Sequence, residues 1–155
     1  AMTGWRLGWV IYPQGARQPF ENLIQFSTSG APEFLQWGAI AALEHGEDFV
    51  KSFAARCGAG RAIVNDRLAR MKRVRNVPTQ GAFYAMFSVD GVTDTLQFCK
   101  RAVTEAGIGM APGTAFGKGA EHYIRLCYAK SPELLTEAMN RLERFVETYA
   151  EAPAE

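Results

Sequence analysis

The feature that most constrains this chain is a change in its hydrophobic pattern near Arg73. Before that residue, apolar side chains recur at helical spacing over long segments. After it, short apolar runs of strand length alternate with helical segments, and turn residues separate them. The sequence therefore predicts a mixed α/β unit of about 80 residues, preceded by a helix-rich segment.

Two helices are predicted in the helix-rich segment. The first has Pro32 in its first turn and ends near Gly46, and the second runs from about Glu47 to Met71. Gly60 lies in the middle of the second helix, where a glycine costs about 1 kcal/mol relative to alanine. Upstream of both helices, the apolar and β-rich residues 9–12 predict a short buried strand that a proline closes.

Capping residues mark where the helices of the α/β unit begin. Thr93 is expected to cap a helix that stops at Gly107, and Ser131 is expected to cap the last helix, with Pro132 in its first position. We expect strands at residues 82–89 and 123–128, and a short strand or a connection at residues 74–77. The apolar stripe of the last helix comprises Leu135, Met139, Leu142, Val146 and Tyr149.

Composition excludes several classes of partner. The chain has 155 residues, 48% of them hydrophobic, and a formal net charge of +1. This apolar content is enough for a core, and the near-neutral charge gives no general attraction to nucleic acid or to an anionic membrane. No apolar run is long enough to span a bilayer. From the charge and the missing apolar run together, we expect no nucleic-acid partner and no membrane partner.

The cysteines and histidines give no sign of a metal site. Cys57, Cys99 and Cys127 are odd in number and lie far apart, so neither a disulfide framework nor a CxxC motif is expected. His45 and His122 are not framed by cysteines or carboxylates at metal-ligand spacing. We expect three reduced thiols, no bound metal and a cytoplasmic location.

Two local patterns have both a functional and a structural interpretation. The glycine-rich residues 111–119 could hold a phosphate, but Lys118 is followed by Gly119, whereas a nucleotide-binding P-loop needs serine or threonine there. A tight turn with its backbone close to a ligand is the favoured interpretation. Seven basic side chains fall between residues 56 and 75. Because interleaved aromatic residues and overall basicity are missing, they indicate a solvated helix face rather than a nucleic-acid patch.

Two arginines stand among apolar neighbours. Arg125 lies in a mostly apolar predicted strand, where an unpaired guanidinium is costly to bury. The structural interpretation is a salt bridge or a position at the sheet edge. The functional interpretation is a planar fork of donors that binds a carboxylate. Arg6, between Trp5 and Leu7, raises the same question for a phosphate.

Three stretches resemble one known family. Residues 2–9, MTGWRLGW, resemble the segment that follows the Schiff-base lysine in class I aminotransferases, which depend on pyridoxal 5'-phosphate (PLP). Residues 80–84, QGAFY, resemble the strand that opens the small domain of these enzymes. The loop GIGMAPGTAFG at residues 107–117 and the strand YIRLCYA at residues 123–129 resemble a loop and an arginine strand near their C-terminus. The order and the spacings agree, and the resemblance covers essentially the whole chain.

The resemblance implies a PLP-dependent transferase of fold type I, an α/β homodimer of which this chain is the C-terminal part. Residues 1–72 would be the end of the large PLP-binding domain, with dimer-loop helices and a long bridging helix. Residues 73–155 would form a small C-terminal α/β sandwich domain. Residues 27–30 loosely resemble a loop that reaches the dimer interface near the partner's site.

Site residues follow from the same resemblance. Arg6 matches the family arginine that binds the PLP phosphate, and Arg125 matches the arginine that binds the substrate α-carboxylate. The family lysine lies eight positions before the phosphate arginine, which puts it upstream of Ala1. The whole enzyme would transfer an amino group between an amino acid and a 2-oxo acid. This chain alone would contain no catalytic residue, bind no PLP and be inactive.

Two other classes of protein share these motifs. One is the effector domain of a transcriptional regulator in which an aminotransferase-like module is fused to a DNA-binding domain, and the other is a related PLP lyase or synthase. A winged helix-turn-helix before Ala1 would mark the regulator, and a short N-terminal arm would mark the enzyme. Dicarboxylate-specific members carry an arginine near residues 25–29, and its absence here argues against that route to aspartate binding.

Overall fold

The computed structural model of the chain describes residues 2–150, which contain helices α1–α5 and strands β1–β4. The chain forms two compact units, Ala1–Ser52 and Phe53–Glu155. The helices are α1 (Arg17–Ser27), α2 (Glu33–His45), α3 (Glu47–Arg70), α4 (Thr95–Arg101) and α5 (Pro132–Thr148). The strands are β1 (Val74–Asn76), β2 (Tyr84–Val89), β3 (Ala111–Pro112) and β4 (Ile124–Cys127). The division between the units falls inside α3, and the domain boundary between residues 72 and 73 stays a prediction.

The first unit is helical and buries none of its described residues. The strand predicted at residues 9–12 is absent, and this prediction was wrong: Trp9 is 71% exposed and Ile11 is 94% exposed. A strand forms only against a neighbouring strand, and residues 2–52 contain none. In α2, the predicted C-terminus at His45 is confirmed, but Pro32 precedes the helix rather than lying in its first turn.

The second unit begins within α3, which buries Cys57, Gly60, Val64 and Leu68. Gly60, which weakens the helix by propensity, allows a close approach. A Cβ there would lie 2.6 Å from the carbonyl oxygen of Tyr128 and 2.9 Å from a methyl of Leu135. The glycine therefore lets α3 pack directly against the chain between β4 and α5.

The sheet of the second unit is antiparallel throughout, with strand order β1-β2-β4-β3. Side chains alternate between its two faces, as expected for strands half-buried by helices. One face joins the hydrophobic core of the unit, through Ala85, Phe87 and Val89 of β2 and through Ile124 and Leu126 of β4. The opposite face, here called the outer face, carries half-buried residues of β2 and β4: Tyr84, Met86, Ser88 and Arg125.

The helices of this unit begin at polar caps. Ser131 caps α5 as predicted: its hydroxyl accepts a hydrogen bond from the Leu134 amide at 3.4 Å, and Pro132 follows it. The predicted stripe of α5 is buried in full. The cap predicted at Thr93 was wrong, because the Asp94 carboxylate accepts from the Gln97 amide at 2.8 Å and α4 begins one residue later. No helix among residues 2–150 is both long and apolar enough to cross a bilayer.

Candidate functional site

Arg125 projects from the outer face of an interior strand. Its neighbours Ile124 and Leu126 are buried in the core, so the alternation of β4 turns Arg125 the other way. In the sheet it pairs with Met86 of β2 on one side and with Ala111 of β3 on the other. Since β4 has a neighbour on each side, the edge-strand interpretation of this arginine is excluded.

The guanidinium of Arg125 is surrounded by aromatic rings rather than by acids. Its Cζ atom lies 4.3 Å from the ring centroid of Tyr84 and 4.2 Å from that of Phe116. Within residues 2–150, it has no ion pair and no side-chain hydrogen bond. By contrast, Arg67 and Arg75 bind carboxylates at 2.7 Å and 3.0 Å. The salt-bridge interpretation therefore does not describe Arg125 in this part of the chain, and its N–H donors are available to a ligand.

The glycine-rich loop supplies one of the two rings. Phe116 ends a 3₁₀ turn that begins at Gly113 and directly follows β3. The Gly113 amide donates to the Tyr123 carbonyl at 2.7 Å, and a Cβ on Gly113 would overlap the carbonyl oxygen of Ala120. Only glycine fits this close approach, which brings the loop back beside β4. Sequence reasoning includes Phe116 only as a member of a motif and misses its contact with Arg125.

The second ring near Arg125 is that of Tyr84, and the turn before β2 leads into it. The buried Tyr128 donates its hydroxyl to the carbonyls of Gly81 and Ala82 at 3.2 and 3.1 Å, and its amide donates to the Phe83 carbonyl at 2.9 Å. Burial also raises the pKa of the Tyr128 hydroxyl, which therefore remains a donor at neutral pH. These bonds fix the segment that leads into Tyr84, the ring nearest Arg125 on β2.

Next to this arginine, the outer face has a shallow, mostly apolar depression of about 480 Å³. Tyr84 and Met86 line it, so it adjoins the surroundings of Arg125 directly. The other lining residues are Val77, Pro78, Thr79, Gly119, Ala120 and Tyr123. Arg75, also on the sheet, is bound through two nitrogens by Asp90 at 3.0 and 3.2 Å. Arg125 is thus the better placed of these two arginines to bind an anion.

Arg6 lies in the first unit. It follows the 3₁₀ turn Thr3–Trp5 in a left-handed conformation, with φ of 51°, and its side chain is exposed. One guanidinium nitrogen donates to the Thr3 carbonyl at 3.2 Å. The remaining donors of this exposed cation suit an oxyanion such as a phosphate. Residues 27–30, the loosely matched dimer loop, are also in this unit and include two left-handed residues, Ser29 and Gly30.

The cysteines do not form a nucleophilic or metal-binding site. Cys57 and Cys99 are buried, Cys127 is exposed, and all three are free thiols. Burial raises the pKa of Cys99 to about 11, which keeps this thiol protonated and unreactive at neutral pH. No group of three potential metal ligands was found among residues 2–150.

The sequence of this chain is similar to those of known aminotransferases. The family described as aminotransferase class I and II matches residues 1–142. The aspartate aminotransferase of Pyrococcus horikoshii is 35% identical over 150 residues, a match that covers 95% of this chain but only 38% of the relative.

Solved structures give the same result. An aminotransferase from Mycobacterium tuberculosis matches with a TM-score of 0.87 and 29% identity, covering 96% of this chain and 39% of that one. An aromatic aminotransferase from Pyrococcus horikoshii OT3 matches with a TM-score of 0.83 and 33% identity, covering 94% and 40%. The predicted α/β fold of type I transferases is therefore confirmed. The chain belongs to the class I and II aminotransferase family, and it spans about two fifths of the length of these relatives.

Proposed function

We propose that this chain is the C-terminal portion of a PLP-dependent aminotransferase, which transfers an amino group between an amino acid and a 2-oxo acid. The observation that carries the proposal is the Arg125 guanidinium on the outer face of β4, close to two rings and without an acid partner among residues 2–150. A cation held there without a counterion suits an anionic ligand. Membership of the family supports the reaction type.

Arg125 is proposed to bind the α-carboxylate that amino acids and 2-oxo acids share. Its planar guanidinium can donate two parallel hydrogen bonds to one carboxylate, which fixes the direction of the bound group as well as its position. Fixing the carboxylate orients the Cα–H bond from which the proton is removed. Arg125 therefore contributes to binding and to orientation and moves no proton itself.

Arg6 is proposed to hold the phosphate of PLP. The fit rests on an exposed guanidinium that, among residues 2–150, makes one side-chain hydrogen bond, to the Thr3 carbonyl, and so keeps donors for phosphate oxygens. When bound, PLP supplies an electron-withdrawing ring that stabilises negative charge at the substrate α-carbon. The lysine that carries PLP is proposed to lie upstream of Ala1, because no lysine of this chain has the family spacing to Arg6.

The proposal has consequences for the whole enzyme. We expect a cytoplasmic homodimer in which residues 1–72 complete the large domain and residues 73–155 form the small domain. Residues 27–30 are proposed to reach the dimer interface. Exposed apolar side chains throughout the first unit support its packing against further polypeptide, since such surfaces mark interaction sites.

The chain alone is predicted to be inactive. Purified chain would be mixed with PLP, treated with borohydride and digested, and each lysine would then be examined by mass spectrometry. We expect only scattered, substoichiometric labelling, because the chain provides a carboxylate-binding arginine but not the reacting lysine. A stoichiometric adduct at a single lysine, or measurable transamination, would contradict the prediction.

The role of Arg125 is tested by Arg125→Lys in the whole enzyme. One ammonium cannot reproduce two parallel N–H···O bonds, so we expect kcat/KM to fall by roughly 30- to 1,000-fold, or about 2–4 kcal/mol. A milder fall in kcat should accompany it, because orientation is also affected. PLP content, measured by absorbance after dialysis, should remain unchanged.

The control is an amine substrate that lacks the α-carboxylate. Its slow reaction should be almost insensitive to Arg125→Lys, since it offers nothing for the arginine to bind. Equal damage to the amine and amino-acid reactions would show that Arg125 is needed only for the structure of the sheet.

A further inference from the structure

The two rings beside Arg125 have no role in the function proposed above. We propose that Tyr84 and Phe116 are positioning residues, which hold the Arg125 guanidinium so that its N–H donors face a substrate carboxylate. This inference rests on the carboxylate-binding role proposed for Arg125. The observation behind it is that both ring centroids lie within 4.3 Å of the Arg125 Cζ atom.

Ring contact and acid contact have opposite effects on a binding arginine. A carboxylate partner holds a guanidinium by using its N–H donors, as Asp90 does with two nitrogens of Arg75. An aromatic ring attracts the cation through its π face and consumes none of the in-plane donors. A pair of rings can therefore fix the arginine while leaving it free to bind a carboxylate through two hydrogen bonds.

The backbone that carries each ring is fixed by contacts that do not involve Arg125. Tyr84 belongs to β2 and is paired in register with Cys127 of β4, two residues from Arg125. Phe116 belongs to the turn that Gly113 confines against Tyr123 and Ala120. Because the fold places both rings against the guanidinium, the arginine is preorganised, and binding loses less side-chain entropy.

The test uses the 155-residue chain labelled with ¹⁵N and pyruvate, the smallest 2-oxo acid, as the probe. The Nε–Hε resonance of Arg125 is assigned by its loss in Arg125→Lys. Two properties are then measured for each variant: the ring-current shift of this resonance without pyruvate, and the dissociation constant from a pyruvate titration. Core resonances of Phe98 and Tyr128 report whether the fold is intact.

The variants separate the ring from the packing volume. Phe116→Leu removes the ring and keeps an apolar side chain, whereas Phe116→Tyr keeps the ring. Tyr84→Leu and Tyr84→Phe form the same pair on the other side, so the test does not depend on one variant folding. Each leucine variant should lose part of the ring-current shift and bind pyruvate roughly 2- to 5-fold more weakly. Phe116→Tyr and Tyr84→Phe should retain both properties.

The outcomes distinguish failure of this inference from failure of the proposed function. If the unchanged chain binds pyruvate at Arg125 and both leucine variants bind it equally well with intact cores, the rings do not position the arginine and the inference is overturned. If pyruvate leaves the Arg125 resonance of the unchanged chain unmoved, the same variants decide in the whole enzyme. An unchanged KM for pyruvate in both leucine variants overturns the inference, and an unchanged kcat/KM in Arg125→Lys overturns the carboxylate-binding role as well.

Discussion

The two units of this chain differ in how their apolar residues are used. In residues 2–52 no side chain is buried, and Phe26, Phe34 and Trp37 are each more than 60% exposed. In the second unit, apolar residues from Val64 to Tyr149 form one core between the sheet and its helices. Burial of apolar area is the main favourable term in folding, so the second unit contains its own source of stability and the first does not.

Helix α2 illustrates the difference. Its apolar residues are spread around the helix rather than gathered on one side, a composition typical of a helix surrounded by protein. Helix α5 has one buried stripe, and apart from Leu134 its exposed surface is mostly polar, as expected for a helix that covers a core. Helix α5 is therefore suited to the unit it lies in, whereas α2 is suited to a larger assembly.

The largest expected effect is on the core of the second unit. Leu68→Ala removes a fully buried side chain and should lower the free energy of unfolding of that unit by about 2–5 kcal/mol. The matched change in the first unit is Phe26→Ala, at a position that is 88% exposed, and it should change stability by less than about 0.5 kcal/mol.

Hydrogen exchange followed on peptides from each unit measures both changes separately. The contrast between the units would be contradicted if Phe26→Ala lowered amide protection in any peptide as much as Leu68→Ala lowers it in the second unit. Such a result would mean that the first unit has a core of its own in solution.

The same contrast explains what sequence reasoning could predict. In the second unit, the helix stripe, the cap at Ser131 and the strand around Arg125 were predicted correctly, because the residues they pack against lie in the same chain. The strand expected at residues 9–12 failed in the first unit because strand formation depends on a partner, and none lies among residues 2–52. A strand could not be predicted without its partner, whereas the end of α2 and the cap at Ser131 follow from local signals. Such signals also failed once in the second unit, where Asp94 rather than Thr93 caps α4.

The candidate site was predictable in part. Arg125 stands out in the sequence as a charge in an apolar strand, whereas Phe116 and Tyr84 are visible there only as members of motifs. Their contacts with Arg125 depend on the register of β2 against β4 and on the path of the loop after β3. A glycine-rich segment predicts that a loop turns tightly, but not which ring the turn carries to which neighbour.

Loss of a helix cap should have an intermediate effect on the stability of the second unit. Ser131→Ala leaves the Leu134 amide of α5 without its side-chain acceptor and should cost the second unit about 0.5–2 kcal/mol. Thr136→Ala is the matched control, since it removes an exposed hydroxyl that donates to the Pro132 carbonyl at 2.8 Å but caps no amide, and alanine has the better helix propensity. Urea unfolding should show a lower midpoint for Ser131→Ala and an equal or higher one for Thr136→Ala. Equal losses for both variants would mean that the cap adds nothing specific.

The smallest expected effect concerns ion pairs. Arg67 of α3 binds Glu143 of α5 at 2.7 Å and also donates to Asn140 at 2.7 Å, and both charged side chains are half-buried. In the first unit, Arg17 and Glu21 form an exposed pair within one helix, also at 2.7 Å. The distances are equal, so a difference in coupling would come from burial and from the tertiary position of the pair.

Double-mutant cycles with alanine would measure the coupling in each pair. We expect about 1 kcal/mol for Arg67–Glu143, which joins α3 to α5, and about 0.3–0.5 kcal/mol for Arg17–Glu21. Adding about 1 M NaCl should remove most of the Arg17–Glu21 coupling and less of the other, because salt screens exposed charges more strongly. Urea unfolding of the second unit gives the Arg67–Glu143 coupling, and hydrogen exchange within α1 gives the Arg17–Glu21 coupling. Equal couplings with equal salt dependence would show that the two units differ in apolar burial alone and not in how they use their charges.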